Sequence, residues 1–314
     1  MTNIQHVQVD LSTALGKLQL PAPVLTASGC AGYGRELDSY FDITSIGAIV
    51  TKSIMMEPRS GRATPRMAET PSGMINSIGL QGSGIESFIE HDLAWLRKRG
   101  ARTIVSIAGN NVLEFGRLAR RLRGVEGVAG LEINISCPNV ANRGLVFACN
   151  PGSAAEVVAE VRKHAQPGLP LLAKLSPDVT DIVEIAHSVI DAGVDGLAMI
   201  NTLLGMVIDP VTLRPQLGGR TGGLSGPAIR PVAVRAVYQV HAALPQVPIL
   251  GMGGIRSGRD ALEFLAAGAS AVSVGTAIFN DPSAPLRIQN ELRDELASRG
   301  FSRLRDVIGI AHQA

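Results

Sequence analysis

Ala192-Gly193-Val194-Asp195-Gly196-Leu197-Ala198-Met199 has a counterpart in Ala267-Gly268-Ala269-Ser270-Ala271-Val272-Ser273-Val274. In both, a helical pattern stops at a glycine suited to a left-handed C-terminal position, turns tightly and feeds a short apolar strand. Six further runs of the same kind precede or separate these two. The strands expected are Val24–Ala27, Ala48–Thr51, Thr103–Ile107, Gly130–Ile135, Leu171–Leu175, Gly196–Ile200, Pro248–Met252 and Ala271–Val274. Between them run helical stripes, for example Ile182, Ile185, Ala186, Val189 and Ile190, and Ile85, Phe88, Ile89 and Leu96. Eight such units without a Pro-, Ser- or charge-rich linker predict an α/β fold, a single (β/α)8 barrel over residues 1–314, rather than two doubly wound domains.

Two features lie outside the repeat. Val7–Leu11 and Lys17–Leu20, around Ala14-Leu15-Gly16, read as an N-terminal hairpin covering the N-terminal end of the barrel. The segments Ser53–Gly84 and Thr202–Ser225, after strands two and six, are too long to be plain connections, and long loops in compact domains usually carry function.

Barrel enzymes do their chemistry at the C-terminal ends of the strands. Those ends are Ser28-Gly29, Lys52-Ser53, Ser106, Asn134 to Cys137, Lys174, Asn201-Thr202, Gly253-Gly254 and Gly275-Thr276. None of the six histidines is among them, so a His-built metal centre is not expected. Glu132 is the one acidic residue inside a strand, sharing its inward parity with Asn134 and Ser136, and paired-carboxylate glycosidase chemistry lacks its second member. What remains is two lysines, several Asn, Ser and Thr side chains and one thiol, a set suited to a planar, anionic, carbonyl-rich ligand and a single proton transfer.

Composition narrows the field further. A net charge of +2 on 314 residues provides no field for nucleic acid or an anionic membrane. Lysine occurs only at 17, 52, 98, 163 and 174, and two of these five fall on strand ends. A strand-end lysine can also simply snorkel to solvent. Cys30, Cys137 and Cys149 are too few and too scattered for a disulfide framework or a zinc or iron–sulfur site, and suit a reduced, cytoplasmic setting. Cys30 and Cys149 read as small hydrophobes, whereas Cys137 leaves strand four between Asn134 and Asn139, beside a loop-setting proline. No secretory signal pattern and no run of about 18 apolar residues is present. Glycines after strands seven and eight, Gly251-Met252-Gly253-Gly254 and Gly275-Thr276, sit where this fold builds phosphate cradles, although glycine is common at any turn.

These residues resemble the class 1 dihydroorotate dehydrogenases, and most closely the class 1B catalytic subunit. The resemblance covers nearly the whole chain. It is carried by Ala27-Ser28-Gly29-Cys30, Glu57-Pro58-Arg59, Thr64-Pro65-Arg66, Ala68-Glu69-Thr70, Asn76-Ser77-Ile78-Gly79-Leu80-Gln81 and Asn134-Ile135-Ser136-Cys137-Pro138-Asn139. Further carriers are Lys174-Leu175-Ser176-Pro177, Ile200-Asn201-Thr202-Leu203 and Thr221-Gly222-Gly223-Leu224-Ser225-Gly226-Pro227.

The resemblance implies FMN-dependent oxidation of (S)-dihydroorotate to orotate in pyrimidine biosynthesis, with Cys137 as the base that takes the C5 proton while hydride leaves C6. It implies substrate contacts from Lys52, Asn76, Ser77, Ile78, Gly79, Leu80, Asn134, Asn139, Asn201 and Thr202. It implies FMN contacts from Ser28, Lys52, Ser53, Ser106, Asn134, Lys174, Ile200, Gly226, Gly253, Gly254, Gly275 and Thr276. A homodimer is expected, with electrons passing to NAD through a second subunit carrying FAD and a 2Fe–2S cluster. The chain departs from close relatives at Ser106, where Asn is common, and at Gly82-Ser83, where Asn-Pro is common. The first departure makes Ser106 the weakest of the flavin assignments. Two other readings fit the strand ends: a dihydropyrimidine dehydrogenase-like flavoenzyme acting on uracil or thymine, and a non-catalytic phosphate-binding barrel.

Overall fold

A computed structural model describes residues 8–136 and 149–313. Eight parallel strands, Val24–Thr26, Ile49–Val50, Thr103–Ile107, Val128–Ile133, Leu171–Leu175, Gly196–Met199, Ile249–Met252 and Ala271–Val274, form one sheet in sequential order. The eighth pairs with the first through Val272 and Val24, and the bridge from Leu25 to Ala48 joins the first to the second. The ring therefore closes as a (β/α)8 barrel, and all eight expected strands are present with ends shifted by a few residues.

Strand parity explains why the sequence folds this way. Leu25, Ala48, Val50, Ile104, Leu172, Ala198, Leu250, Met252 and Ala271 form one buried cluster inside the ring. Their neighbours Val24, Ile49, Val105, Leu131, Leu171, Ala173, Leu197 and Val272 belong to a second, larger cluster that includes the helices. Each strand is thus apolar on both faces, as a parallel sheet covered by helices requires. Four of the helices start at built caps: Asn111 accepts from Glu114 N, Asn150 from Ser153 N with Pro151 next, Asp181 from Val183 N and Glu184 N, and Ser257 forms a capping box with Asp260. The expected stripe at Ile182, Ile185, Ala186 and Val189 is buried. The helical pattern from residue 85 is interrupted by a π-helical stretch at Phe88–Leu93, which still buries Phe88 and Leu93.

The N-terminal hairpin differs from expectation. Its arms are Thr13–Leu15 and Leu18–Leu20, and the described part of the expected first arm, residues 8–11, lies outside them. The alternation that suggested a strand at Val9 and Leu11 instead buries these two side chains while Asp10 is tied by backbone bonds to Ser302 and Leu304. The hairpin does cover the N-terminal end of the barrel. Leu15 and Leu20 join the interior cluster, and Thr13 Oγ1 donates to Ser270 O, just before strand eight.

At the other end, the two long loops form a four-stranded antiparallel sheet in the order Leu203–Met206, Thr221–Ser225, Gly73–Asn76, Met67–Thr70. This pairing puts Gly223 opposite Asn76, so segments from after strands two and six meet over the C-terminal rim.

Candidate active site

Inward parity brings the polar strand ends into one connected network. Asn134 Nδ2 donates to Ser53 Oγ at 2.9 Å, and Ser53 Oγ lies 2.9 Å from Ser106 Oγ and 3.2 Å from Ser28 Oγ. On the other side, Asn201 Nδ2 donates to Ser136 Oγ at 2.7 Å and lies 3.3 Å from Asn134 Oδ1, while Ser136 Oγ donates to that same oxygen. Asn201 Oδ1 accepts from Thr202 N at 2.8 Å. Strands one to four and six therefore present their polar termini to one space.

The Asn76 run arrives from the second loop. Asn76 Nδ2 lies 3.3 Å from Gly223 O, and a Cβ on Gly223 would come within 2.0 Å of Thr202 Oγ1. Glycine at 223 is what lets Asn76 and Thr202 approach the same point. Ser77 is fully buried, donates its N–H to Arg66 O and accepts from Arg62 Nη1 at 3.3 Å, so its polar groups serve the loop. Ile78 O accepts from Arg62 N, and Gly79 and Leu80 both have positive φ, 78° and 57°. The whole 76–80 run is held in a single irregular conformation.

Lys174 and Glu132 were legible as inward residues but not as partners. Lys174 Nζ is 3.7 Å from Glu132 Oε1, with both side chains buried. Ser106 Oγ also donates to Glu132 Oε1, at 2.9 Å. The shorter side chain at 106 thus faces the carboxylate and Ser53. Cys30 lies near Lys174 and Lys52; burial pushes its thiol up to about 11 against the opposing pull of the two ammoniums. Lys52 is half-buried at the end of strand two, its backbone N–H bonded to Gly32 O.

The glycines that suit a phosphate lie on the other side of the same rim, after strands six, seven and eight. Gly253 and Gly254 have φ of 129° and 81°, and a Cβ on Gly254 would meet Gly226 O at 2.8 Å. Gly226 has φ 93°, and its own Cβ would meet Gly73 Cα at 2.7 Å. Gly275 packs on Ala27 and Cys30, followed by Thr276 at the head of a short helix, Ala277–Asn280. Gly226 and Gly254 thus bring the loops after strands six and seven into close backbone approach, and Gly275 follows the neighbouring strand eight, an arrangement of glycines that suits phosphate binding. The amide- and hydroxyl-rich network beside them suits a flavin ring, so the residues present fit FMN. Ile200 follows strand six and is buried. Cys137 and Asn139 lie outside the described residues; Ser136, next to Cys137, is buried at the mouth. His91, His164, His187, His241 and His312 all lie on helices, away from this rim.

The family model for dihydroorotate dehydrogenase matches residues 10–296. The chain belongs to the dihydroorotate dehydrogenase family. It is 50% identical over 300 residues to the "Dihydroorotate dehydrogenase B (NAD(+)), catalytic subunit" of Geobacter sp. strain M21, an alignment covering 96% of this chain and 97% of the relative. Proteins of the same name from Geotalea daltonii (51% identity, 96% of this chain and 97% of the relative) and Desulforamulus reducens (49%, 98% and 100%) are similarly close. This membership makes the chain a class 1B-type oxidoreductase, as the motifs around Asn134 and Asn201 implied. Among the described residues, no helix is long and apolar enough to cross a membrane.

Proposed function

We propose that the chain oxidises (S)-dihydroorotate to orotate in pyrimidine biosynthesis, as the FMN-binding catalytic subunit of an NAD-linked enzyme in the cytoplasm. The observation that carries this reading is the joining of Asn134, Asn201, Ser53, Ser28 and Ser106 into one network, beside a buried lysine and a glycine cradle, in a family member half identical to B-type catalytic subunits.

In the proposed reaction, the side-chain amides of Asn134 and Asn201, with the Asn76–Leu80 run and Thr202, hold the ring amides and carboxylate of the substrate, and Lys52 neutralises the carboxylate. Asn139 adds a contact from the loop after strand four. Cys137 removes the C5 proton as its thiolate, and the C5–C6 double bond forms as hydride departs from C6. FMN, when bound, supplies the hydride acceptor. Gly226, Gly253, Gly254, Gly275 and Thr276 would hold its phosphate. Ser28, Lys52, Ser53, Asn134, Lys174 and Ile200 would line its ring, with Ser106 behind Ser53.

The words "catalytic subunit" in the relatives' names support a partner electron-transfer subunit for this chain. Three cysteines cannot supply the four thiolates of a 2Fe–2S cluster, so the proposed FAD and cluster belong to that partner. A homodimer of the catalytic chain is part of the same proposal.

Titration of the FMN-loaded protein with orotate is expected to perturb the flavin absorption saturably, and titration with uracil at equal concentration to leave it unchanged. A response to uracil alone would move the assignment to dihydropyrimidine chemistry, and a purified protein without flavin absorption would favour a non-catalytic barrel.

A further inference from the structure

We propose that Glu132 is a positioning residue for the flavin: its carboxylate orients Lys174 and the Ser106–Ser53–Ser28 hydroxyl chain, and its charge lowers the reduction potential of FMN. The proposal rests on the reading of the ligand as FMN.

Glu132 is fully buried inside the ring, one strand away from Lys174. Burying a carboxylate is costly unless its oxygens are paired. Here the compensation is partial. Oε1 accepts from Ser106 and faces the Lys174 ammonium at 3.7 Å, beyond direct hydrogen-bond distance, while Oε2 has no hydrogen-bond partner among the described residues. A neutral side chain of this size would serve packing at lower cost. That makes stability a poor explanation for the charge.

Its effect on the neighbours is specific. An ionised carboxylate only accepts, so Ser106 must donate to it. Each hydroxyl has one hydrogen, so Ser106 Oγ then accepts from Ser53, and Ser53 in turn accepts from Ser28 and from Asn134 Nδ2. The amide of Asn134 is thereby fixed with Oδ1 toward Asn201 and Ser136. Through Ser106, one carboxylate sets the hydrogen-bond direction of three side chains proposed to face the ligand, Ser53, Ser28 and Asn134. It also opposes the negative charge that FMN gains on reduction, while Lys174 favours it.

The test is a dye-equilibrated titration of FMN bound to wild type and to Glu132→Gln, with the affinity for oxidised FMN measured in parallel. The variant is expected to raise the preference for reduced over oxidised FMN about tenfold, a rise of about 30 mV for a two-electron couple. Glu132→Asp, which keeps the charge, is expected to stay within about threefold of wild type, under half of that shift. A merely structural role would weaken both forms alike and leave the potential in place, and that result overturns the assignment. Should Glu132→Gln fail to load FMN, the pair Lys174→Gln and Glu132→Gln/Lys174→Gln decides. The single variant is expected to lower the preference about tenfold and the double to return it to within about threefold of wild type; a double no different from Lys174→Gln overturns the proposal. Failure of wild type to bind FMN refutes the cofactor reading, whereas wild-type binding with an unmoved Glu132→Gln potential refutes only the role of Glu132.

Discussion

Cys137→Ala is expected to leave FMN bound while slowing flavin reduction by dihydroorotate by a factor of about 10² to 10⁴, the usual contribution of a positioned base. Among the strand-end residues Cys137 is the one thiol, and the family resemblance makes it the proposed base. Glu132, the acidic residue within the described barrel strands, is buried beside Ser106 and Lys174. Cys30 is a second thiol near Lys174 and Lys52, yet with its pKa pushed up to about 11 by burial it stays protonated through pH 9. The rate of flavin reduction should therefore rise between pH 6 and pH 9 as a thiol of ordinary acidity, near about 8.5, ionises. Cys30→Ser should keep that rise. Rapid-mixing absorbance under anaerobic conditions reads both effects; reduction of Cys137→Ala at the wild-type rate, or a flat pH profile, contradicts the base assignment.

Gly254→Ala is expected to weaken FMN binding on the order of a hundredfold, about 2.8 kcal/mol. Gly254 has φ 81°, a conformation that costs an L-residue roughly 1–2 kcal/mol. The added Cβ would also meet Gly226 O at 2.8 Å, Arg230 Cβ at 2.9 Å and Arg230 N at 3.1 Å. Two of these three atoms are backbone and have little freedom to retreat, so the loops after strands six and seven must separate where the phosphate is proposed to bind. Barrel residues far from the rim are untouched, and the unfolding temperature of the flavin-free variant should drop by only a few degrees. Isothermal titration of the flavin-free protein with FMN checks the affinity; binding within threefold of wild type contradicts the cradle.

The barrel was legible because its strands are apolar on both faces and are bounded by glycines and caps. Repeats such as Ala192–Met199 and Ala267–Val274 announce a closed ring of parallel strands. The strand-end inventory followed from position at the C-terminal ends of the strands, and the structure joins Ser53, Ser106, Asn134 and Asn201 there, with Lys174 beside Glu132. Three things were hidden, each for a physical reason. The rim sheet pairs Gly73–Asn76 with Thr221–Ser225 across about 150 residues, and its glycine-rich strands carry little alternation to reveal it. The N-terminal arm looked like a strand at Val7–Leu11 because Val9 and Leu11 alternate, but their burial comes from contact with the C-terminal segment around Ser302 and Leu304. The Glu132–Lys174 pairing depends on the register between strands four and five, which places Leu172 opposite Glu132 and Lys174 two residues further on. Parity gave the direction of each side chain and could not give that register.

The proposed role of Cys137 as base comes from the family resemblance; the residues alone single it out as the thiol leaving strand four between Asn134 and Asn139, while Cys30 and Cys149 read as small hydrophobes. What the structure adds is the setting one residue before it. Ser136 is buried and shares Asn134 and Asn201 as hydrogen-bond partners, so the chain enters residue 137 from the middle of the network.

The most direct test is a single turnover. FMN-loaded protein, mixed anaerobically with (S)-dihydroorotate and no electron acceptor, is predicted to lose its flavin absorption and to form one orotate per flavin bleached. Retention of the oxidised flavin spectrum with dihydroorotate, together with bleaching by dihydrouracil, would contradict the account.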